Sequence, residues 1–239
     1  MRPILFAQRK TPMSILPIYT VLMFAMSIGL IRRAKAENAV TPSQVIGLFG
    51  LLGALAIWVG VVTVLGLQGK HLALKQTVPL FWQPLTFLII CTVAIVVVPP
   101  IRRGLMAIAQ STPAWWFALI QATRIGAIGS IIKGLQGEIQ SGYVFWVGIP
   151  DFLFGLSALG VAWLSYYGRI GRRALIAWNL VGFALIALPT FIGRSYWFAE
   201  DGFEFIFEFP MILAPAVVVS WLISFNLLHA WAIWRSDRA

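Results

Sequence analysis

The chain has 239 residues, of which 60% are hydrophobic and 11% charged, and its mean hydropathy is +0.87. That mix excludes a soluble globular domain and leaves length for roughly seven bilayer-spanning helices of about 20 residues each. The net charge of +10 lies mostly in Lys and Arg pairs beside apolar segments, where such residues meet anionic head groups and set topology, so no nucleic-acid partner is read from it.

In chain order, apolar runs predict spans at about 14–31, 43–67, 80–99, 113–134, 147–167, 174–193 and 210–234. The first follows MRPILFAQRKTPMS and runs into RRAKAE without a small-residue cleavage site, so it reads as a retained helix. Small residues recur at close spacing in the second run, at Gly47, Gly50 and Gly53, and in the fourth, at Gly126, Ser130 and Gly134. Such faces let helices approach closely in lipid, within one chain or between copies. The third run holds Cys91, the one cysteine, which excludes a disulfide framework or a cysteine metal site within the chain. Trp82, Trp115, Trp116, Trp146, Trp178, Trp197, Trp231 and Trp234 fall near predicted interfaces, as an aromatic belt does. The expected fold is therefore all-α, a polytopic membrane helix bundle of about seven transmembrane helices, with residues 1–239 forming a single integral membrane domain.

Counting Lys and Arg on alternate sides puts ten on one side, in loops one, three and five with the C-terminal tail, and seven on the other. The excess marks the cytoplasmic side. The expected location is the cell membrane, the inner membrane in a bacterium, with the N-terminus outside and the C-terminus inside.

Arg124 lies near the middle of the fourth span, inside QATRIGAIGSIIKG. An arginine there costs at least about 2.5 kcal/mol on insertion scales and faces a partner or a wet cavity. Gln121, three residues earlier, shares its helical face, whereas Lys133 is close enough to the outer end to snorkel. Asp151, the one acidic residue inside a predicted span, is the natural counter-charge. It follows Pro150, and two placements compete. A helix starting at Pro150 puts Asp151 in its first turn at the outer interface. A re-entrant YVFWVG stretch instead puts Asp151 deeper, paired with Arg124 at a solute or ion site, as broken helices do in transporters.

The sixth loop carries Glu200, Glu204 and Glu208 four apart, an outer acidic face on an interfacial amphipathic segment or a site for a hard cation, although the spacing matches no known metal loop. His71 and His229 are predicted on opposite sides, so no shared metal site or haem is expected. His229, with Asn226, is a helix tie or a proton-relay candidate. Gly155-Leu156-Ser157-Ala158 resembles the short glycine–serine motif of rhomboid-type intramembrane proteases, which implies a serine paired with a histidine on a later helix. Helix geometry places Ser157 and His229 roughly 7 Å apart along the axis, and AWAIW rather than small residues follows His229, so Ser157 reads as a helix-contact residue. No HExxH, GxSxG, GxGxxG or phosphate-loop motif occurs, and the seventh span has no lysine for a retinal Schiff base.

The sequence names no cofactor, and one held by apolar contacts alone would leave no motif. The function these residues point to is binding or passage of a small solute or ion at Gln121, Arg124 and Asp151. The alternative is a non-catalytic accessory or assembly subunit of a larger membrane complex, with the bilayer, a membrane-protein partner or a second copy as contacts. Enzymatic chemistry ranks behind both.

Overall fold

Proline, glycine and threonine decide where most of the helices begin and end. A computed structural model describes residues 14–71, 82–192 and 206–235. Helix α1, Leu16–Ala36, has a proline in its first turn and Arg33 and Lys35 in its last, where cations meet the negative end of the helix dipole. Asn38 takes the left-handed conformation, with φ 57°, to turn the chain. Thr41 and Gln44 then form a capping box, and Pro42 opens α2, Pro42–Leu67.

The third apolar run departs from its expected bounds. Helix α3, Trp82–Val97, is only 16 residues long. Val98 is extended, because a residue before proline is pushed out of the α region. Pro99 and Pro100 lack the N–H groups that would continue the ladder, so the chain bends by 103° into α4, Pro99–Ser111. The expected third loop, with Arg102 and Arg103, is thus a helix. Its apolar face, Ile101, Gly104, Ile108 and Ala109, is buried, and its two arginines are exposed.

Helix α5, Ala114–Leu135, contains a tight 3-10 stretch at Thr123–Ala127. Helix α6, Ser141–Tyr166, contains a wide π turn at Val144–Gly148. The YVFWVG stretch does not re-enter: its π turn runs straight into α-helical Ile149–Tyr166, which carries Pro150 and Asp151 in its first turn. The Ile149 N–H reaches Val144 O, five residues back, and such a register shift lets a helix continue through a proline. Helix α7, Arg172–Ile192, and helix α8, Ala214–Arg235, complete the set; α8 opens with a second π turn, Ala214–Val219.

Six of these helices are long and apolar enough to cross a membrane, seven if the bent pair α3–α4 is one span. The bundle is all-α among the described residues. Two pairs of packed spans run antiparallel. Tyr19 faces Gly126 while Arg33 reaches Ser111 O and Trp116, so α1 and α5 oppose each other. Arg172 donates to Ile233 O and Asn179 meets His229, so α7 and α8 do the same. These contacts gather the basic ends of α1, α4, α7 and α8 at one end of the bundle. Helix α8 is the centre, with 67% of its membrane window buried against 22–28% in the other spans. Large side chains such as Ile46, Ile57 and Val96 point outward, as expected where lipid, not water, is the solvent. Among the buried tryptophans, Trp58 ties α2 to the α8 π turn by donating to Ala216 O at 3.0 Å.

Candidate functional site

Arg124 is the eleventh residue of the 22 in α5 and sits inside the 3-10 stretch. Thr123 helps to tighten that stretch by donating its hydroxyl to Ile120 O at 2.7 Å, the kind of side-chain bond that competes with the α ladder. The Arg124 side chain is fully buried and fully engaged. Nε donates to Asp151 Oδ1 at 3.0 Å, Nη2 donates to the same oxygen, and Nη1 donates to Gly182 O at 3.1 Å. The guanidinium carbon lies 4.2 Å from the Phe154 ring centroid, a cation–π geometry in a desolvated place. Phe154 is in turn stacked on Trp178 at 4.6 Å.

Glycines make this convergence possible. A Cβ on Gly155 would lie 2.5 Å from Ile125 N and 2.8 Å from Arg124 C, so α6 rests its backbone directly on that of α5. Asp151, one turn earlier on α6, is thereby carried onto the guanidinium. A Cβ on Gly182 would overlap the Phe154 ring, so α7 needs a glycine where its carbonyl meets Arg124.

The two charges are unequally placed. The Arg124 side chain has no exposed surface, whereas that of Asp151 keeps 17%. What Asp151 faces is a cavity of about 400 Å³, whose lining includes Tyr19, Thr123, Ser130, Lys133 and Tyr143 among apolar groups from α8. The 3-10 stretch and both π turns contribute walls to it through Thr123, Arg124, Gly126 and Ala127, through Val147 and Gly148, and through Ala214, Val218 and Val219. Irregular backbone at membrane depth is tolerated where it is packed in protein or lines a cavity, and π turns are frequent at functional sites.

The other candidates lie elsewhere. Gln121 is buried, donates to Leu222 O at 3.2 Å and accepts from Asn226 at 3.4 Å, tying α5 to α8. His229 is buried, accepts at Nδ1 from Asn179 at 3.1 Å and stacks on Phe117 at 4.5 Å. Neither lines the Asp151 cavity. The Ser157 hydroxyl donates to Phe154 O at 2.7 Å and accepts from Trp178 Nε1 at 3.0 Å, so serine and histidine serve separate contacts. Glu208 is exposed; Glu200, Glu204 and Trp197 lie outside the described residues. Among the described residues no group of three or more His, Cys, Asp or Glu could hold a metal ion.

The small-residue faces are also redistributed. Gly126 meets Tyr19 of α1, Gly134 meets Val144 of α6, Gly47 packs on Ile101 of α4, and Gly50 and Gly53 face open space. Tyr19, Thr123, Tyr143, Phe154, Gly155 and Gly182 are site residues that sequence reasoning missed. Gly155 stood in the same GLSA stretch from which only the serine was taken up, and no local signal marks the two tyrosines.

No protein-family model, curated protein or solved structure matches the chain.

Proposed function

We propose that the protein binds a small hydrogen-bonding solute in the Asp151 cavity and passes it across the membrane. One observation carries this: a buried ion pair at mid-helix, Arg124 with Asp151, lines a roughly 400 Å³ space walled by three irregular helix turns, and the carboxylate keeps the accessible surface of the pair. That volume falls in the range of small-molecule sites, about 300–1,000 Å³. Arg124 keeps Asp151 oriented, Asp151 accepts from the solute, the hydroxyls of Tyr19, Ser130 and Tyr143 supply donors and acceptors, and Thr123, whose proton goes to Ile120 O, can accept. A bare ion is the poorer guest, because drawing either charged partner away leaves the other buried and uncompensated, at about 3–5 kcal/mol. The basic end of the bundle faces the cytoplasm in this proposal, with the N-terminus outside.

The test is thermal unfolding in lipid nanodiscs against a panel of polyols, amides and zwitterionic amino acids. At least one class is expected to raise the wild-type midpoint, by linkage, and to leave the Arg124→Gln/Asp151→Asn double variant unmoved. A wild-type midpoint indifferent to the whole panel, or equal shifts in the variant, would refute the proposal.

The outward face of α2 supports a second role, as a subunit of a larger assembly. Ile46, Gly50, Gly53, Ile57 and Gly60 recur on one exposed face, a small-residue surface suited to another membrane helix. Gentle detergent extraction should then recover a stoichiometric partner or a second copy, and a monodisperse lone chain would count against it.

A further inference from the structure

A second cavity lies between α1, α2, α3, α4 and α8 with Phe117 of α5, and it is close to the first in size but not in lining. It has a volume of about 420 Å³, shares no lining residue with the Asp151 cavity, and is walled chiefly by groups such as Leu30, Leu51, Phe87, Ile108, Trp221 and Trp231. Of its few polar groups, the Ser224 hydroxyl is already spent on Ser220 O at 2.9 Å. Beyond the hydroxyls of Ser27 and Thr92, a polar guest would lose its hydrogen bonds to water without replacing them.

The length of this cavity is informative. Along α8 it extends from Trp221 to Trp231, which at 1.5 Å per residue is about 15 Å. That is half of the roughly 30 Å hydrocarbon layer, the depth of a single leaflet. It begins under α4, whose Leu105 and Ile108 form part of its wall, and α4 turns 103° away from α3 across the basic end of the bundle. On the outer side of α4, Arg102 and Arg103 are exposed, and neither has a hydrogen bond or ion pair among the described residues. Helix α4 has no acidic residue, and Glu37, which caps the neighbouring α1, is paired with Arg33 at 2.8 Å. An apolar slot one leaflet deep, beneath a short amphipathic helix with two uncompensated arginines, matches one lipid chemistry.

We infer that the protein holds one anionic phospholipid of the leaflet at its basic end, with an acyl chain in the apolar cavity and the phosphate against Arg102 and Arg103. The chain contributes apolar burial, and the arginines select headgroup charge.

The experiment is native mass spectrometry of the full chain released from nanodiscs containing equal phosphatidylglycerol and phosphatidylcholine. Wild type should retain one phospholipid, enriched in phosphatidylglycerol. Arg102→Gln/Arg103→Gln, both exposed and so compatible with folding, should lower that enrichment by up to about thirtyfold. Ser224→Trp, which fills the cavity, should abolish retention. Wild type released without lipid, or enrichment unchanged by the arginine substitutions, overturns the inference, as does full retention in a folded Ser224→Trp protein.

Discussion

Replacing Arg124 with glutamine removes two donors to Asp151, the donor to Gly182 O and the cation over Phe154 in one step. Asp151 is then left at membrane depth without its counter-charge, and breaking a buried pair by removing one partner costs about 3–5 kcal/mol. Asp151→Asn strands the guanidinium instead, and the expected loss is of the same size. The double variant Arg124→Gln/Asp151→Asn has no charge to strand, and its two amides can bond each other. It should be more stable than the sum of the single changes by at least about 2 kcal/mol. Reversible unfolding in mixed micelles, followed by circular dichroism, reads all four corners of the cycle. Additivity within about 0.5 kcal/mol would mean that each charge is solvated separately, and the geometry argued for the pair would fail. The same variant separates architecture from function: recovered stability with lost solute response makes the pair part of a binding site, whereas recovery of both makes it a helix contact.

Three further outcomes are expected. Gly155→Ala should lower stability by about 1–3 kcal/mol, since its Cβ meets the backbone of α5 and not a movable side chain; Gly160→Ala, with nothing within 4 Å, is the control and should be close to neutral in the same unfolding assay. His71, just beyond the end of α2, is buried with Nε2 on Val62 O at 3.0 Å, and burial lowers its pKa below 6.5. The unfolded chain then takes up the proton first, so the contribution is complete above about pH 6.5 and is lost as pH falls below it, with about 1.4 kcal/mol per pH unit as the ceiling of the slope; His71→Phe should flatten that slope in unfolding measured between pH 7.5 and 5.5. For orientation, cysteines introduced at Gly168 and Gly137, which lie in turns at opposite ends of α6, should label from the cytoplasmic and outer sides respectively, and labelling of both from one side would contradict the proposed topology.

Some features of this protein were legible from local chemistry alone. Apolar length and scarce charge require helices in lipid, since an unpaired backbone group has no water there to satisfy it. A mid-span arginine requires a partner, and Asp151 was the one acidic residue inside a predicted span. Other features depended on which neighbour each helix face meets. Gln121 and Arg124 are three residues apart, so about 60° separates them around an α-helix. Because α5 is wedged between α6 and α8, that angle sends Gln121 to Leu222 O and Arg124 to Asp151. The bend at Pro99 was written in VVPPIRR, but whether it ended a helix or folded one back under the bundle depended on the apolar face of α4 finding α2 and α8. The π turns have no sequence signature beyond nearby Pro150 and Pro215, and they line a cavity formed only when four helices pack. Sequence alone determined that a buried charge must be answered. Only tertiary packing decided that the carboxylate, not the guanidinium, keeps the accessible surface of the pair, because Gly155 and Gly182 let α6 and α7 close around Arg124.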